Sequence, residues 1–292
     1  QAAVDRAVRA TYTPGSKSFH RFITPAQWNA RYAPTASTVA KVTSYLRHAG
    51  LANIQVSSNR LLVSAATTVG QAEKAFNTSL TSFVLSGVRR FANTRAAMVP
   101  APLRGVVRAV LGLNNLPLTH VKPQLVKAAG PPALEAGLYP AQFNTTYHAK
   151  GTHNGSKTSV AVMTQGDTSS VITSLRYAEA KEHKPRVPVT VVPVGPQSTD
   201  ESGATEFDMD TQVSTMVPGV VKRLYLYNIG SLYDTNIVAG INTFVADNQS
   251  QGLSASLGGC DIQAYLDGAM VASDISLQQG ALQGQSFFAS SG

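Results

Sequence analysis

Cysteine and long apolar runs are scarce in this sequence. Cys260 is the one cysteine among 292 residues, so no disulfide can form within the chain. No apolar run reaches the roughly 18 residues that a membrane-spanning helix needs. No stretch resembles a secretory leader, and we expect that any leader of an exported form has been removed. We therefore predict neither a disulfide framework nor a membrane partner.

Acidic residues are scarce in the first half of the chain. Residues 1–130 hold sixteen Lys and Arg against two acids, a net charge of +14, whereas residues 131–292 hold eight against fourteen, a net charge of −6. Such a division fits a nucleic-acid-binding domain beside an enzyme, or two parts that bind each other. The basic residues are scattered and accompany no zinc or aromatic nucleic-acid motif. We therefore favour mutual binding and expect no nucleic-acid partner.

Short helical patterns alternate with hairpin patterns in residues 1–113. Hairpins are predicted about Ser58-Asn59 and Ser86-Gly87, and helices near 1–11, 25–32, 35–49, 69–76 and 100–110. This order indicates a small α+β domain with an antiparallel sheet. Residues 114–137 hold four prolines and little periodicity. They are interpreted as an exposed linker, where proteases cut.

Continuous apolar runs alternate with helical patterns in residues 138–292. The runs lie at 160–163, 189–192, 220–226, 253–257 and 287–289, with helices near 169–183, 203–217, 235–248 and 263–283. This alternation predicts an α/β domain whose parallel sheet is covered on both faces. The fifth run ends the chain without a closing helix. We therefore expect residues 138–292 to be part of a domain, truncated after its fifth strand.

Glu206 and Asp210 are the most informative pair of acids. Four residues apart, they lie on one face of the predicted helix over 203–217. Neighbouring carboxylates raise each other's pKa, which suits one of them to general acid or base chemistry. The alternative is a solvated acidic face. Asp208 lies on the opposite side of the helix and is interpreted as structural or cleft-facing.

Several segments, in order along the whole chain, resemble a known family. They lie at residues 12–27, 58–60, 72–76, 206–210, 254–259 and 283–292. The first three are similar to the pro-kumamolisin type of activation propeptide. The others are similar to the sedolisin family of serine-carboxyl peptidases, which act in acid and have a subtilisin-like fold.

The resemblance implies roles for individual residues. Glu206 would be the general base, and Asp210 would hydrogen-bond to it and hold the shared proton. A glutamate, with an ordinary pKa of about 4.3, can act as a base in acid, where histidine would be protonated. Ser256, Leu257 and Gly258 would belong to the strand that lines the substrate cleft.

Other parts of the family pattern are absent from this chain. The oxyanion-hole aspartate, the nucleophilic serine and the calcium site of the family are expected beyond residue 292, and no metal site is expected within the chain. Ser256, Ser290 and Ser291 lack the strand-to-helix context of a nucleophile, so the chain alone is expected to be inactive. Cys260 would pair with a cysteine beyond residue 292 or be free and buried.

We therefore predict a secreted, monomeric zymogen of an acid-acting endopeptidase that cleaves proteins and peptides. Residues 1–113 would be its propeptide, acting as inhibitor and intramolecular chaperone, with 114–137 as the activation region near the cleft. Residues 138–292 would be the N-terminal part of the peptidase domain. Low pH would weaken the attraction between the basic and acidic parts and release the propeptide. The alternative is a truncated or inactive homologue that serves as an inhibitor, a foldase or a peptide-binding protein.

Overall fold

A computed structural model of the chain describes residues 2–116, 119–121, 140–149, 154–259 and 261–290. None of the helices in these ranges combines the length and the apolar character needed to cross a membrane. The chain divides into two compact units. The first comprises Gln1–Thr119, Leu232–Asn248 and Gly259–Gln285, and the second comprises His120–Ser231, Gln249–Gly258 and Ser286–Gly292.

Helices and strands alternate along the described residues. The α-helices are α1 (Ala2–Tyr12), α2 (Pro25–Arg31), α3 (Ala36–His48), α4 (Val69–Phe76), α5 (Pro140–Thr146), α6 (Ser169–Lys181), α7 (Ala204–Met216), α8 (Asp234–Asp247), α9 (Asp261–Leu266) and α10 (Ala269–Gln283). The strands are β1 (Ala52–Val56), β2 (Val63–Ala66), β3 (Leu80–Leu85), β4 (Val88–Asn93), β5 (Thr119–His120), β6 (Ser159–Gln165), β7 (Val189–Val194), β8 (Arg223–Ile229), β9 (Gly252–Ala255), β10 (Gly258–Gly259) and β11 (Ser286–Ala289).

Two helices of the first unit begin at complete capping boxes. The hydroxyl of Thr24 accepts a hydrogen bond from the backbone of Gln27, whose side chain accepts one from the backbone of Thr24. Thr68 and Gln71 repeat the arrangement at the start of α4. Each box satisfies two of the backbone N–H groups that a helix start leaves without partners. These local interactions explain why α2 and α4 were predictable from sequence.

Two small apolar cores stabilise the first unit. Trp28 is 2% exposed and lies with Val4 of α1 and Leu282 of α10 in one of them. In the other, Leu46 of α3 and Ala75 of α4 pack over the hairpin of β1 and β2. Within this unit, α10 also contacts α8.

The antiparallel strands predicted for the first unit are present and form two separate two-stranded sheets, β1–β2 and β3–β4. Two helix predictions for this unit are wrong in detail. The helix predicted near 100–110 is only a 3₁₀ turn over Ala101–Leu103. Gly105 has a left-handed φ of +78°, and the helix does not continue past it. The helix predicted over 263–283 is broken into α9 and α10 at Gly268, where φ is +91°. Left-handed glycines end helices, and apolar periodicity does not reveal them.

A five-stranded parallel sheet forms the centre of the second unit, in the order β11-β9-β6-β8-β7. Six of the seven residues of β6 are buried, which explains its continuous apolar sequence. Val162, Leu224 and Leu226 of the sheet pack with Leu175 of α6. The parallel α/β architecture predicted for residues 138–292 is confirmed.

Candidate active site

The strand connections of the sheet reverse direction between β6 and β9. After β6 the chain connects through α6 to β7 on one side, whereas after β9 it connects through α10 to β11 on the other side. In open α/β sheets such a reversal places a crevice outside the carboxyl ends of the two strands concerned. Ser256 follows β9 at this edge. It was predicted as a cleft residue, and that role stays a prediction.

The loop over residues 195–203, which leads into α7, is fastened to the same edge of the sheet. The side chain of Asn228 at the end of β8 donates to the backbone oxygen of Gly166 at 2.8 Å and to Oε1 of Gln197 at 2.7 Å. Gln165, the last residue of β6, donates to Asp200 Oδ2 at 3.0 Å. Because these bonds begin at buried strand ends, they hold the loop in one position.

Two glycines allow the loop to approach the sheet this closely. A Cβ atom at Gly230 would lie 1.9 Å from the backbone oxygen of Pro196, and one at Gly166 would lie 1.8 Å from that of Asp200. Gly166 also has a φ of +80°. At the end of the loop, Gly203 lies against the ring of Phe207, which is 1% exposed and anchors the first turn of α7. The loop and the helix start are therefore fixed together.

Helix α7 presents Glu206 and Asp210 one turn apart, as predicted. The two carboxyls differ in exposure, because Glu206 is partly exposed whereas Asp210 is only 8% exposed. The described hydrogen bond of Asp210 comes from Ser256, whose Oγ donates to Oδ1 at 2.9 Å. The second oxygen of Asp210, Oδ2, is buried without a hydrogen-bond partner.

Burial raises the pKa of Asp210 to about 6. The hydrogen bond from Ser256 opposes this rise, and the charge of Glu206 adds to it. An aspartate with this pKa is protonated in mild acid, and its proton can occupy Oδ2, the oxygen that accepts no hydrogen bond. The site therefore offers one protonated and one more accessible carboxyl on the same helix face, an arrangement suited to general acid and base chemistry.

Asp208 lies apart from this pair. Burial raises the pKa of its carboxyl, and a hydrogen bond with Ser174 of α6 opposes the rise. The neighbouring Gln212 also donates to Ser174, at 3.1 Å. Asp208 was interpreted as structural or cleft-facing, and its bond with Ser174 is a structural contact with α6.

The segment predicted to line the substrate cleft, with Ser256, Leu257 and Gly258, is less regular than expected. Strand β9 ends at Ala255, and the backbone N–H of Leu257 donates to the oxygen of Ala255 at 2.9 Å, which bends the chain. The extended conformation resumes in β10, which pairs with β5. A Cβ atom at Gly258 would lie 3.0 Å from Nε2 of His120, so the glycine allows His120 to approach closely.

Comparison with known proteins agrees with these features. Residues 1–116 match the family model described as the Pro-kumamolisin activation domain. The chain is 34% identical over 300 residues to xanthomonalisin of Xanthomonas sp. (strain T-22) and 31% identical over 303 residues to sedolisin of Pseudomonas sp. (strain 101). These alignments cover 96% and 100% of this chain.

The chain is therefore similar to sedolisin-family peptidases along almost its whole length, and its first 116 residues match an activation domain of this type.

It spans 36% of the length of xanthomonalisin and 52% of that of sedolisin. A solved structure of Pseudomonas sedolisin, described as a serine-carboxyl proteinase complexed with two molecules of pseudo-iodotyrostatin, matches with a TM-score of 0.51 and 29% identity. That match covers 53% of this chain and 44% of the solved chain. The α/β architecture of the second unit is therefore consistent with the sedolisin fold.

Metal binding was predicted only beyond residue 292. Within the described ranges, no three His, Cys, Asp or Glu side chains form a group that could hold a metal ion. The prediction for Cys260 lies outside the described residues, and of the linker predicted over 114–137 only residues 114–116 and 119–121 are described.

Sequence reasoning missed the amide groups that position α7. Asn228 and Gln165 lie inside strands that read as apolar runs, and each is 4% exposed. A polar residue at the end of an otherwise buried strand indicates a binding edge in general. It does not reveal that its partners are Gln197 and Asp200, more than 30 residues away in sequence.

Proposed function

We propose that this chain provides the activation domain and the general-base helix of an acid-acting serine-carboxyl endopeptidase, synthesised as a zymogen. Glu206 is the general base and Asp210 is its proton-holding partner. The observation that carries the proposal is the inequality of the two carboxyls. Asp210 is buried, has a pKa of about 6 and has an oxygen without a partner, whereas Glu206 lies partly exposed one turn away.

The proposed chemistry is acyl transfer from a peptide bond. As the oxygen of a serine nucleophile bonds to the peptide carbonyl carbon, its proton moves to the carboxylate of Glu206. That proton passes to the leaving nitrogen when the C–N bond breaks. Protonated Asp210 donates a hydrogen bond to Glu206 and keeps it oriented. By the family pattern, the serine and the oxyanion-hole aspartate follow residue 292 in the complete sequence.

The pairing of β5 with β10 supports inhibition by the propeptide side of the chain. β5 lies within the predicted linker over 114–137, and β10 includes Gly258 of the segment predicted to line the substrate cleft. A peptide substrate that adds to the backbone of Gly258 would compete with His120 for the same space. We propose that cleavage of the linker in acid removes this obstruction, and that the enzyme acts on peptides and proteins outside the cell.

Intact mass spectrometry of the native protein, before and after one hour at about pH 4, tests the proposal. We expect the wild type to lose about the mass of residues 1 to 113–137 and to gain peptidase activity. Glu206→Gln should retain its mass, whereas Glu201→Gln, in the exposed loop before α7, should process normally. Both variants should unfold at the wild-type temperature. Processing of Glu206→Gln at the wild-type rate would rule out its role as the base.

A further inference from the structure

Asn59 is a buried carboxamide at the tip of a hairpin. It lies between β1 and β2 and is only 2% exposed. Its Oδ1 accepts a hydrogen bond from Oγ of Ser57 at 2.7 Å and one from the backbone N–H of Leu61 at 3.3 Å. The hairpin therefore satisfies the oxygen of this side chain and leaves its NH₂ group for other partners.

Both hydrogens of that NH₂ group are used within the first unit. Nδ2 of Asn59 donates to Oδ1 of Asn242 on α8 at 2.8 Å and to Oε1 of Gln279 on α10 at 2.9 Å. Asn242 and Gln279 are 2% and 0% exposed. The hairpin tip thus bridges two helices that follow it by 183 and 220 residues, through side chains that water does not reach.

The bonds continue along α10 as a relay of amides. Gln279 donates to Oε1 of Gln283 at 3.0 Å, and Gln283 donates to the backbone oxygen of Val245 at 2.8 Å and to Oε1 of Gln285 at 2.9 Å. The side chain of Gln285 in turn donates to the backbone oxygen of Phe244 at 3.3 Å.

The direction of this relay is determined at both ends. The carbonyl of Val245 can only accept, so Gln283 must turn its NH₂ toward it and its oxygen toward Gln279. Gln279 must therefore donate to Gln283 and present an oxygen to Asn59. At the other end, the N–H of Leu61 can only donate, which makes the oxygen of Asn59 the acceptor there. Flipping a single amide would place like atoms against each other.

We infer that α8 and α10 together form a docking surface for the turn over residues 57–62, and that this surface specifically requires a hydrogen-bond donor at position 59. The apolar contacts of Trp28 and Val4 with Leu282 add buried apolar area to this surface. They do not require a hydrogen-bond donor at any position. Asn59 is thus the recognition group through which the activation domain is held on the two helices. This role is independent of the chemistry of Glu206.

Asn59→Asp is the sharpest test, because it keeps the size of the side chain and replaces the donor by an acceptor. The variant is made in the full chain that also carries Glu206→Gln, so that peptidase activity plays no part. Asn53→Asp, an exposed position on β1 of the same hairpin, is the matched control. Hydrogen exchange followed by mass spectrometry reports separately on residues 57–62 and 279–285.

At pH 7 we expect exchange in both segments to accelerate at least about tenfold in Asn59→Asp, because two buried acceptors face a carboxylate. Asn53→Asp should stay within about twofold of the parent chain. Near pH 4 the aspartic acid regains an O–H donor, so protection in Asn59→Asp should recover substantially. Asn59→Leu, which has no titrating group, should exchange faster at both pH values.

Three outcomes would overturn the inference. The first is equal protection in Asn59→Asp and Asn53→Asp at pH 7. The second is a loss confined to residues 57–62, because the relay must transmit the change to α10. The third is a defect in Asn59→Asp that is as large at pH 4 as at pH 7, which would mean that the surface does not require a donor.

Discussion

Ser256 donates a hydrogen bond of 2.9 Å to Asp210 and thereby joins the end of β9 to the carboxyl-bearing face of α7. Among the described residues, Ser256 is the one hydrogen-bond donor to this carboxyl, and Oδ2 has no hydrogen-bond partner. The bond from Ser256 matters more to the ionised form of Asp210 than to the protonated form, because a hydroxyl donor stabilises negative charge. Ser256 is therefore a positioning residue that also lowers the pKa of Asp210.

Replacing Ser256 by alanine should raise the pKa of Asp210 above its value of about 6. Because the pKa of Asp210 is raised in the folded state, its contribution to the free energy of unfolding is fully present at low pH. That contribution is lost as pH rises through the folded-state pKa. Since the variant lacks the bond to the ionised form, its unfolding free energy should fall by about 1–3 kcal/mol at pH 8 and by less at pH 4. Urea denaturation at the two pH values measures the difference.

Ser290→Ala is the matched control for Ser256→Ala. The hydroxyl of Ser290 donates to the backbone oxygen of Leu257 at 2.9 Å, so its loss involves no titrating partner. Its effect should therefore be the same at pH 4 and pH 8. A pH-independent loss of stability in Ser256→Ala would contradict the coupling to Asp210.

Asp234, the first residue of α8, should make the first unit less stable as pH rises. Burial, a hydrogen bond with Asp267 and the charge of Asp267 raise the pKa of Asp234 to about 7, and Thr119 opposes the rise. An unfolded aspartate titrates near about 3.9. Between these values the folded state holds a proton that the unfolded chain has released, so stability is lost as pH rises from about 4 through 7. Asp234→Asn should remove that loss.

The comparison for Asp234→Asn is Asp274→Asn, which changes an exposed aspartate on α10. We expect thermal unfolding of Asp234→Asn to vary less between pH 5 and pH 8 than that of Asp274→Asn, with the gain greatest at pH 8. Arg90 does not neutralise the pair directly, since its guanidinium donates to the hydroxyl of Tyr233 and to the backbone oxygen of Asn115. An unchanged pH profile in Asp234→Asn would contradict the assignment.

The charge division of the chain predicts that salt affects the lifetime of the uncleaved protein. Residues 1–130 carry +14 and residues 131–292 carry −6, and salt screens such attraction beyond a Debye length of about 10 Å at 0.1 M. The lifetime of the uncleaved protein at pH 7 should therefore shorten as salt is raised. Gel electrophoresis over several hours measures it. A lifetime that is independent of both salt and pH would rule out electrostatic retention.

Local patterns were sufficient to predict much of the fold. Helix α6 and helix α7 lie within two residues of their predicted bounds, because apolar spacing and flanking turns act over a few residues. The strands of the parallel sheet read as apolar runs because both of their faces are buried. The carboxyl pair of α7 was predictable for the same reason, since it depends only on a spacing of four.

Contacts between distant residues could not be predicted. The bonds of Asn59 to Asn242 and Gln279 join residues that no local pattern relates, and an isolated asparagine in a turn is typical of any hairpin. Ser256 was assigned to the cleft by resemblance, yet its bond to Asp210 requires the order of the strands to be known. The left-handed Gly105 and Gly268 ended helices that periodicity would have continued.

Gly230 should be intolerant of a side chain because the loop before α7 lies directly against it. A Cβ atom there would lie 1.9 Å from the backbone oxygen of Pro196, and backbone cannot yield as a flexible side chain can. We expect Gly230→Ala to lower the unfolding free energy by about 1–3 kcal/mol. Since the displaced loop leads into the helix that carries Glu206, proteolytic activity of the native protein should fall by about tenfold or more.

Gly70→Ala separates this effect from the general consequence of replacing glycine. Gly70 lies in α4 with open space around its Cα, so alanine there should stabilise the protein by about 0.4–1 kcal/mol and leave activity unchanged. Chemical denaturation and peptidase assays are compared for the two variants. Because the loop is also held by Asn228 and Gln165, its displacement in Gly230→Ala should accelerate hydrogen exchange across residues 196–203. If Gly230→Ala exchanges hydrogen across residues 196–203 at the wild-type rate and keeps its activity, the loop does not position α7.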